Sequence, residues 1–480
     1  MSRSTSEPQA VLAKSIAPSL PHPLRVKDPR SVLRADRGSL SRSTPELQAA
    51  SGQLDHARPS APAAGQRPAL RSGNPNPFSS MQRILIFLAL CSGSTMLAGD
   101  WPQFRGPQGN GVSDESDFPS KIDAGSVAWQ VGLPGRGLSS PIIVGDRVFV
   151  TCSSGPKQDR LHVICFSAID GTKKWERQFW ATGRTMCHEK TSVAAPTPAS
   201  DGRYIFAIFS SNDLVCLDLD GQLIWLRGLT QDYPNTSNSL GMSSSLMVAD
   251  GVVIAMLEND SESFSAGLDA TTGTNLWKLD RPKMANWTSP FALRGPDGGS
   301  VAVLQSGKGL AAINPRNGRV IWEYTEGAST IPSSTTSGGV LYVPSHGITA
   351  LQPAPAVGQS PKQLWRSGQL RPATSSPLVV NDRIFTLNDA GVLTCGSTTD
   401  GARLWQIRLK GPFSATPIAS GTRLYCVNEK GLLQVVESSG AEGTVTSEFD
   451  LGATVLSTPS LGHGALYVRS DSKLWKLKKS

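Results

Sequence analysis

The sequence predicts an all-β fold, an eight-bladed β-propeller of four-stranded blades, and three observations carry that prediction. First, one phrase recurs eight times: a small-residue cluster ending typically in Pro, an apolar stretch, a Gly-centred turn and a closing aromatic, Trp in seven of the eight. It is plainest in Asp170-Gly171-Thr172-Lys173-Lys174-Trp175, Asp220-Gly221-Gln222-Leu223-Ile224-Trp225 and Asp400-Gly401-Ala402-Arg403-Leu404-Trp405. A period of roughly 40 to 50 residues marks propellers and solenoids, because so small a unit cannot bury its own apolar face and must stack on its neighbours.

Second, two marker series agree on the number of units. The closing aromatics are Trp129, Trp175, Trp225, Trp277, Trp322, Trp365, Trp405 and Phe449; the first strands open at Pro141, Pro198, Ser245, Pro290, Ser334, Pro377, Pro417 and Pro459. Each series has eight members. Third, the two series are offset at the chain ends. The last unit, 456–477, supplies three strands, while 127–133 is a lone strand with no unit before it. In a ring the early strand completes the last blade and removes the exposed sheet edges at the seam.

Taken in order along the chain, residues 1–80 carry eleven Lys and Arg against five Asp and Glu, eleven of the thirty-four Pro, and Phe78 as their one aromatic. Such a stretch cannot bury enough apolar surface to offset its ordering entropy. It reads as a disordered or upstream extension of the frame, and it holds most of the formal +8 charge of the chain. Residues 81–99 read as a signal peptide: Met81-Gln82-Arg83, the apolar run 84–90, then Cys91-Ser92-Gly93-Ser94. The apolar run is far short of the roughly 20 residues that span a bilayer. Leu88-Ala89-Leu90-Cys91 resembles a lipobox with Leu90 where a small residue belongs. Cleavage between Ser94 and Asp100 is therefore preferred, and lipidation of Cys91 is the one membrane contact the sequence allows.

Residues 100–126 form an N-terminal strap. Trp101-Pro102-Gln103-Phe104-Arg105-Gly106-Pro107 would leave two large aromatics in water unless it docks on a face of the disc. The propeller proper is 127–480. Its strands are rich in β-branched and aromatic residues, as in Arg147-Val148-Phe149-Val150-Thr151 and Arg383-Ile384-Phe385-Thr386-Leu387. Turns such as Gly145-Asp146 and Asn381-Asp382 bracket them. The Pro that opens a blade stands at a strand start, where its missing N–H costs the ladder nothing.

Local clusters carry few chemical signals. Met186-Cys187-His188-Glu189-Lys190 lies in the longest connection between units, and Cys187, His188 and Glu189 are a candidate loop site at a channel mouth. Glu258-Asn259-Asp260-Ser261-Glu262 lacks the spacing of a calcium loop and reads as a solvated hairpin tip. The closing Lys473, Lys476, Lys478 and Lys479 read as an edge strand guarding the seam. His162, His188, His346 and His463 stand isolated on strands or turns. Cys152 and Cys165 are expected on neighbouring strands, which leaves open either a disulfide or two buried thiols. No catalytic, cofactor-binding or metal-ligating residue is assigned, and the near-neutral main part of the chain has no basic, aromatic stripe for nucleic acid.

The repeat, with its Gly-x-x-x-Trp strand ends, is similar to the PQQ-like propeller superfamily, which includes quinoprotein alcohol dehydrogenases and the outer-membrane assembly lipoprotein BamB; the Asp100–Gly111 signature resembles that of exported BamB-like propellers. The resemblance implies that Trp129, Trp175, Trp225, Trp277, Trp322, Trp365 and Trp405 are structural wedges between blades, each indole N–H reaching a backbone acceptor. It implies an exported, periplasmic or secreted monomer that works as a non-enzymatic scaffold for protein or peptide partners in the cell envelope, with no cofactor. The alternatives are a quinoprotein oxidoreductase using PQQ and calcium, and a polymer- or carbohydrate-binding propeller on the cell surface.

Overall fold

In a computed structural model, residues 97–236, 239–295 and 298–480 are described. The extension 1–80 and most of the export segment lie outside them. Eight sheets follow in chain order. Blades 1 to 7 span 142–180, 199–228, 247–280, 291–324, 335–367, 378–408 and 418–450, each an antiparallel meander of four strands. Blade 8 takes Ser460–Gly462, Ala465–Arg469 and Lys473–Leu477 from the end of the chain and its outermost strand, Val127–Gly132, from the beginning. Gln130 pairs with Trp475 and Val131 with Leu474, so the ring closes as the marker offset predicts. Helix is confined to single turns at Ala124–Ser126 and Leu229–Asp232 among the described residues.

The first strand of each blade is innermost, and first strands of neighbouring blades touch around the axis. The outermost strands alternate exposed and buried positions, with the Trp facing in. Two expectations change here. Lys473–Leu477 is not an edge strand, because Val127–Gly132 covers it, and the Lys476 amine is bonded to the Ala168 carbonyl. The blade 3 marker is displaced by one residue: its strand is Met247–Ala249, so Leu246 fills the slot that Pro holds elsewhere, and Ser245 belongs one position earlier.

Blades are joined by the Trp wedges. The indole N–H groups of Trp129, Trp175, Trp225, Trp277 and Trp365 donate to main-chain carbonyls of the next blade, at Ala168, Leu219, Ala270, Pro315 and Thr398. Trp405 is buried in the same way, but its N–H finds no partner. The facing turn glycine is half of this joint. At Gly273, φ is +70° and a Cβ would stand 2.6 Å from Cδ2 of Trp225. Gly171, Gly221, Gly318 and Gly401 repeat the arrangement on Trp129, Trp175, Trp277 and Trp365. Trp322 is the exception: it is buried, yet the longer connection 353–361 carries Gly358 away into open space.

The cysteines are free thiols among the described residues. Cys152 and Cys165 do lie on adjacent strands, but Cys152 pairs with His162 and Cys165 with Phe149. They face opposite sides of the sheet, one packed toward blade 8 and the other toward blade 2, so no disulfide can join them. The cluster at Glu258 is also corrected. Glu258 and Asn259 are buried, and Glu258 takes hydrogen bonds from Arg281 at 2.6 Å and Asn286 at 2.9 Å. Burial pushes the Glu258 carboxyl above its usual range, opposed by Arg281.

Candidate functional site: the central channel

The inner strands enclose a cavity of about 400 Å³ on the propeller axis. Its wall is built from one repeated position, the hydroxyl residue at the start of every blade: Ser140, Thr197, Ser245, Ser289, Ser333, Ser376, Thr416 and Thr458. They form a ring. The Ser140 N–H donates to the Thr197 hydroxyl at 2.9 Å, the Thr197 N–H to Ser245 at 3.1 Å, and so on through Ser289, Ser333, Ser376 and Thr416 to Thr458. Seven links are made. The eighth falls at the seam between blades 8 and 1, where the Ser140 hydroxyl is buried without a partner.

In the sequence these residues belong to the small-residue cluster before Pro. The signal was available: a hydroxyl precedes the strand-start slot in all eight units once blade 3 is aligned on Leu246. Two residues earlier, on the same side of the extended chain, lies an outer collar that includes Leu138, Ala195, Trp287, Ile331 and Leu456. Leu240 joins them, and this end opens to solvent, with Leu240 48% and Ile331 46% exposed. Trp287 is the aromatic member of this collar and is distinct from the blade-closing Trp series; its indole donates to the Gly241 carbonyl at 2.8 Å and is held at the rim.

The other end is closed by the strap. Trp101 pairs with Ile143 of blade 1 through bonds of 2.9 and 3.0 Å, and the Pro102 carbonyl accepts from Ser200 of blade 2. Phe104 then lines the cavity. Arg105, 1% exposed, donates to the main-chain carbonyls of Ser334 at 3.1 Å and Pro377 at 2.7 Å, each adjacent to a ring residue. The strap leaves by Val112–Ser113, which runs parallel to Ala419–Ser420 on the inner strand of blade 7. No carboxylate pairs with Arg105 among the described residues, and its Nε has no partner. Burial lowers its pKa to about 9, so the guanidinium stays charged at neutral pH.

The structure divides the predicted loop site. His188 and Lys190 line the channel mouth, and the Lys190 amine reaches over blade 8 to Glu429 of blade 7 at 3.1 Å. Cys187 turns instead toward Gln158 and Thr191, half-buried, with its thiol pKa raised by burial. Only the main-chain carbonyl of Glu189 is engaged, by Arg136. The three are not brought together on one ligand. His162 proves to be far from isolated. Its two ring nitrogens meet Ser154 Oγ and Glu176 Oε1, both at 2.8 Å, and Lys173 holds the other oxygen of Glu176 at 2.7 Å. The order Ser–His–acid is that of nucleophilic relays. Here His162 is 4% exposed and lies within the wall of blade 1, away from the channel, where the trio clasps three strands together.

The donor set can be tested against a calcium–quinone pair. Calcium takes about six to eight oxygen ligands, carboxylates prominent among them. No three His, Cys, Asp or Glu side chains come together among the described residues, and no two cysteines are adjacent in the sequence. The channel is lined by hydroxyls, an apolar collar and, at its mouth, His188 and Lys190, with the Arg105 guanidinium buried behind the ring; no carboxylate lines it among the described residues, and the set does not fit that pair.

Eight blades, seven of them closed by a docked Trp, and a ring completed by an N-terminal strand define a PQQ-type β-propeller. The model of the family described as outer membrane protein assembly factor BamB matches residues 119–242, 182–337 and 347–446, and the chain belongs to that family. It is 22% identical over 244 residues to BamB of Moranella endobia (strain PCIT), an alignment covering 42% of this chain and 58% of that protein. It is 25% identical over 270 residues to polyvinylalcohol dehydrogenase of Sphingopyxis sp. (strain 113P3), covering 49% and 39%. The chain thus spans little more than half the length of the one relative and well under half of the other. Among solved structures, BamB from Moraxella catarrhalis superposes with a TM-score of 0.52 at 14% identity, over 73% of this chain and 97% of that one. A europium-containing methanol dehydrogenase gives 0.59 at 13%, over 78% and 89%. At such identities the superpositions establish the shared fold.

Proposed function

We propose that this chain is an exported binding propeller that offers the open end of its central channel to a protein or peptide partner in the cell envelope, and that it catalyses no reaction. One observation carries this reading. The channel is closed at one end by the chain's own strap and open at the other, where Leu240, Trp287, Ile331 and Leu456 gather as an apolar collar. Exposed apolar rims of this kind suit partner docking. Membership of a family described by outer membrane protein assembly agrees with it. So does the secretory pattern that begins at Met81. No helix among the described residues is long and apolar enough to cross a membrane.

The likeness to polyvinylalcohol dehydrogenase favours the rival, a quinone-dependent oxidoreductase. One experiment separates the two. A photo-crosslinking side chain is placed at Ile331 on the rim or at Val357 on an outer loop, and adducts are read in envelope fractions of the native host. A discrete protein adduct at 331 and none at 357 is expected. Absence of the adduct at 331, or saturable alcohol oxidation on adding PQQ and calcium, would overturn the scaffold reading.

A further inference from the structure

The hydroxyl ring is a set of unspent donors. Seven of its oxygens accept an N–H from the neighbouring blade, yet none of the eight hydroxyls donates to a protein acceptor among the described residues. A hydroxyl has one proton to give besides its lone pairs. Seven such protons, with the buried Ser140 hydroxyl set apart, therefore surround one short stretch of the axis. Behind the ring is Arg105, whose bonds go to the main-chain carbonyls of Ser334, Pro377 and Asn110 and to no carboxylate. A buried cation without a counter-charge is costly, and the cost falls when an anion arrives.

The geometry points to the central channel as a receptor for an apolar carboxylate. A carboxylate accepts hydrogen bonds and donates none, so it matches a ring of donors, and the guanidinium sets the sign of charge. The collar and the ring are two residues apart along extended chain, about 7 Å. An apolar group attached to the carboxylate therefore stands against Leu138, Trp287, Ile331 and Leu456 while the acid sits at the hydroxyls. The cavity volume is in the range that takes a small ligand or a chain end. The Lys190–Glu429 pair over the mouth is exposed on its Lys side, and exposed pairs are weak enough to swing aside. This inference rests on the docking reading of the rim and adds what the partner, or a free acid, must present.

The test is calorimetric titration of the full chain with three probes: the peptide acetyl-Leu-Ile-Leu-Ala with a free C-terminal carboxylate, the same peptide as its C-terminal amide, and butyrate. The free acid is expected to bind about tenfold or more tighter than the amide, the value of charge-assisted hydrogen bonds. Butyrate separates the sources. If it binds about as well as the peptide acid, the ligand is a free small acid; if much more weakly, it is a chain end. Ser289→Ala, which removes a hydroxyl residue that lines the cavity, should lower the melting temperature modestly and bind the acid several-fold more weakly. Arg105→Gln is the second variant and should abolish the preference for acid over amide. Equal binding of acid and amide, or a preference that survives both substitutions, overturns the carboxylate site while leaving crosslinking at Ile331 intact. Loss of the Ile331 adduct strikes the docking reading itself.

Discussion

The indole of Trp225 lies flat against Gly273 of the next blade, so closely that a Cβ at Gly273 would come within 2.6 Å of the ring. The same indole donates to the Ala270 carbonyl at 3.0 Å. One side chain thus fills the interblade wedge, satisfies its own N–H and fixes the neighbouring turn.

Trp225→Ala is expected to cost about 3 to 5 kcal/mol, as a large aromatic removed from a core. Gly273→Ala should also destabilise, since it adds a methyl against the ring at a φ of +70° that side chains disfavour. Urea denaturation at constant temperature checks both. A double variant less damaged than the sum of the two would show that the residues form one joint.

The ring predicts a contrast between two chemically identical substitutions. Ser289→Ala removes the acceptor of the buried Ser245 N–H, at a cost of about 1 to 3 kcal/mol. Ser140→Ala removes a hydroxyl that bonds nothing and should stay within about 0.5 kcal/mol of the parent. Equal losses at the two sites, measured by the same urea titration, would mean that the ring is closed across the seam.

Much of this architecture was legible in sequence because it depends on residues with few substitutes. Trp225 fills a wedge and Gly273 needs a positive φ, so both recur at fixed spacing. The lone strand at Trp129 could be placed because an uneven count leaves only one home for it. The channel was harder to see. Ser245 and Thr416 are ordinary residues whose meaning appears only when eight blades bring them to one axis. Cys152 and Cys165 show the opposite failure: neighbouring strands were inferred, but register and side of the sheet were not. His162 likewise had partners at sequence distances that only blade 1 brings together.

The clasp at His162 gives a pH dependence with a definite sign. Burial pushes the Glu176 carboxyl up, but the hydrogen bonds from Lys173 and His162 outweigh it and hold the pKa below the usual carboxylate value of 4.5. A depressed folded-state pKa contributes stability that is present above the unfolded value and lost as pH falls through the folded one. Glu176→Gln should therefore lower the melting temperature near pH 7 and flatten its decline on acidification below about pH 4.5. Parallel melting curves for parent and variant across that window would count against the clasp.

The strap makes the strongest demand on stability, because it supplies the floor of the channel and ties inner strands that are otherwise far apart in sequence. Trp101 is fully buried against Ile143 of blade 1, Arg105 bridges blades 5 and 6, and Val112 pairs with blade 7. Removing residues 100–108 deletes the first two anchors and opens the cavity from below. A marked fall in melting temperature is expected, and Trp101→Ala alone should account for about 3 to 5 kcal/mol of it. Because Val112–Ser113 and the strand Val127–Gly132 remain, blade 8 can still close, so the shortened chain should unfold at lower urea while keeping the far-ultraviolet dichroism of a β-sheet protein. An unchanged midpoint would mean that the segment hangs free of the disc, and the closed floor of the channel would fall with it.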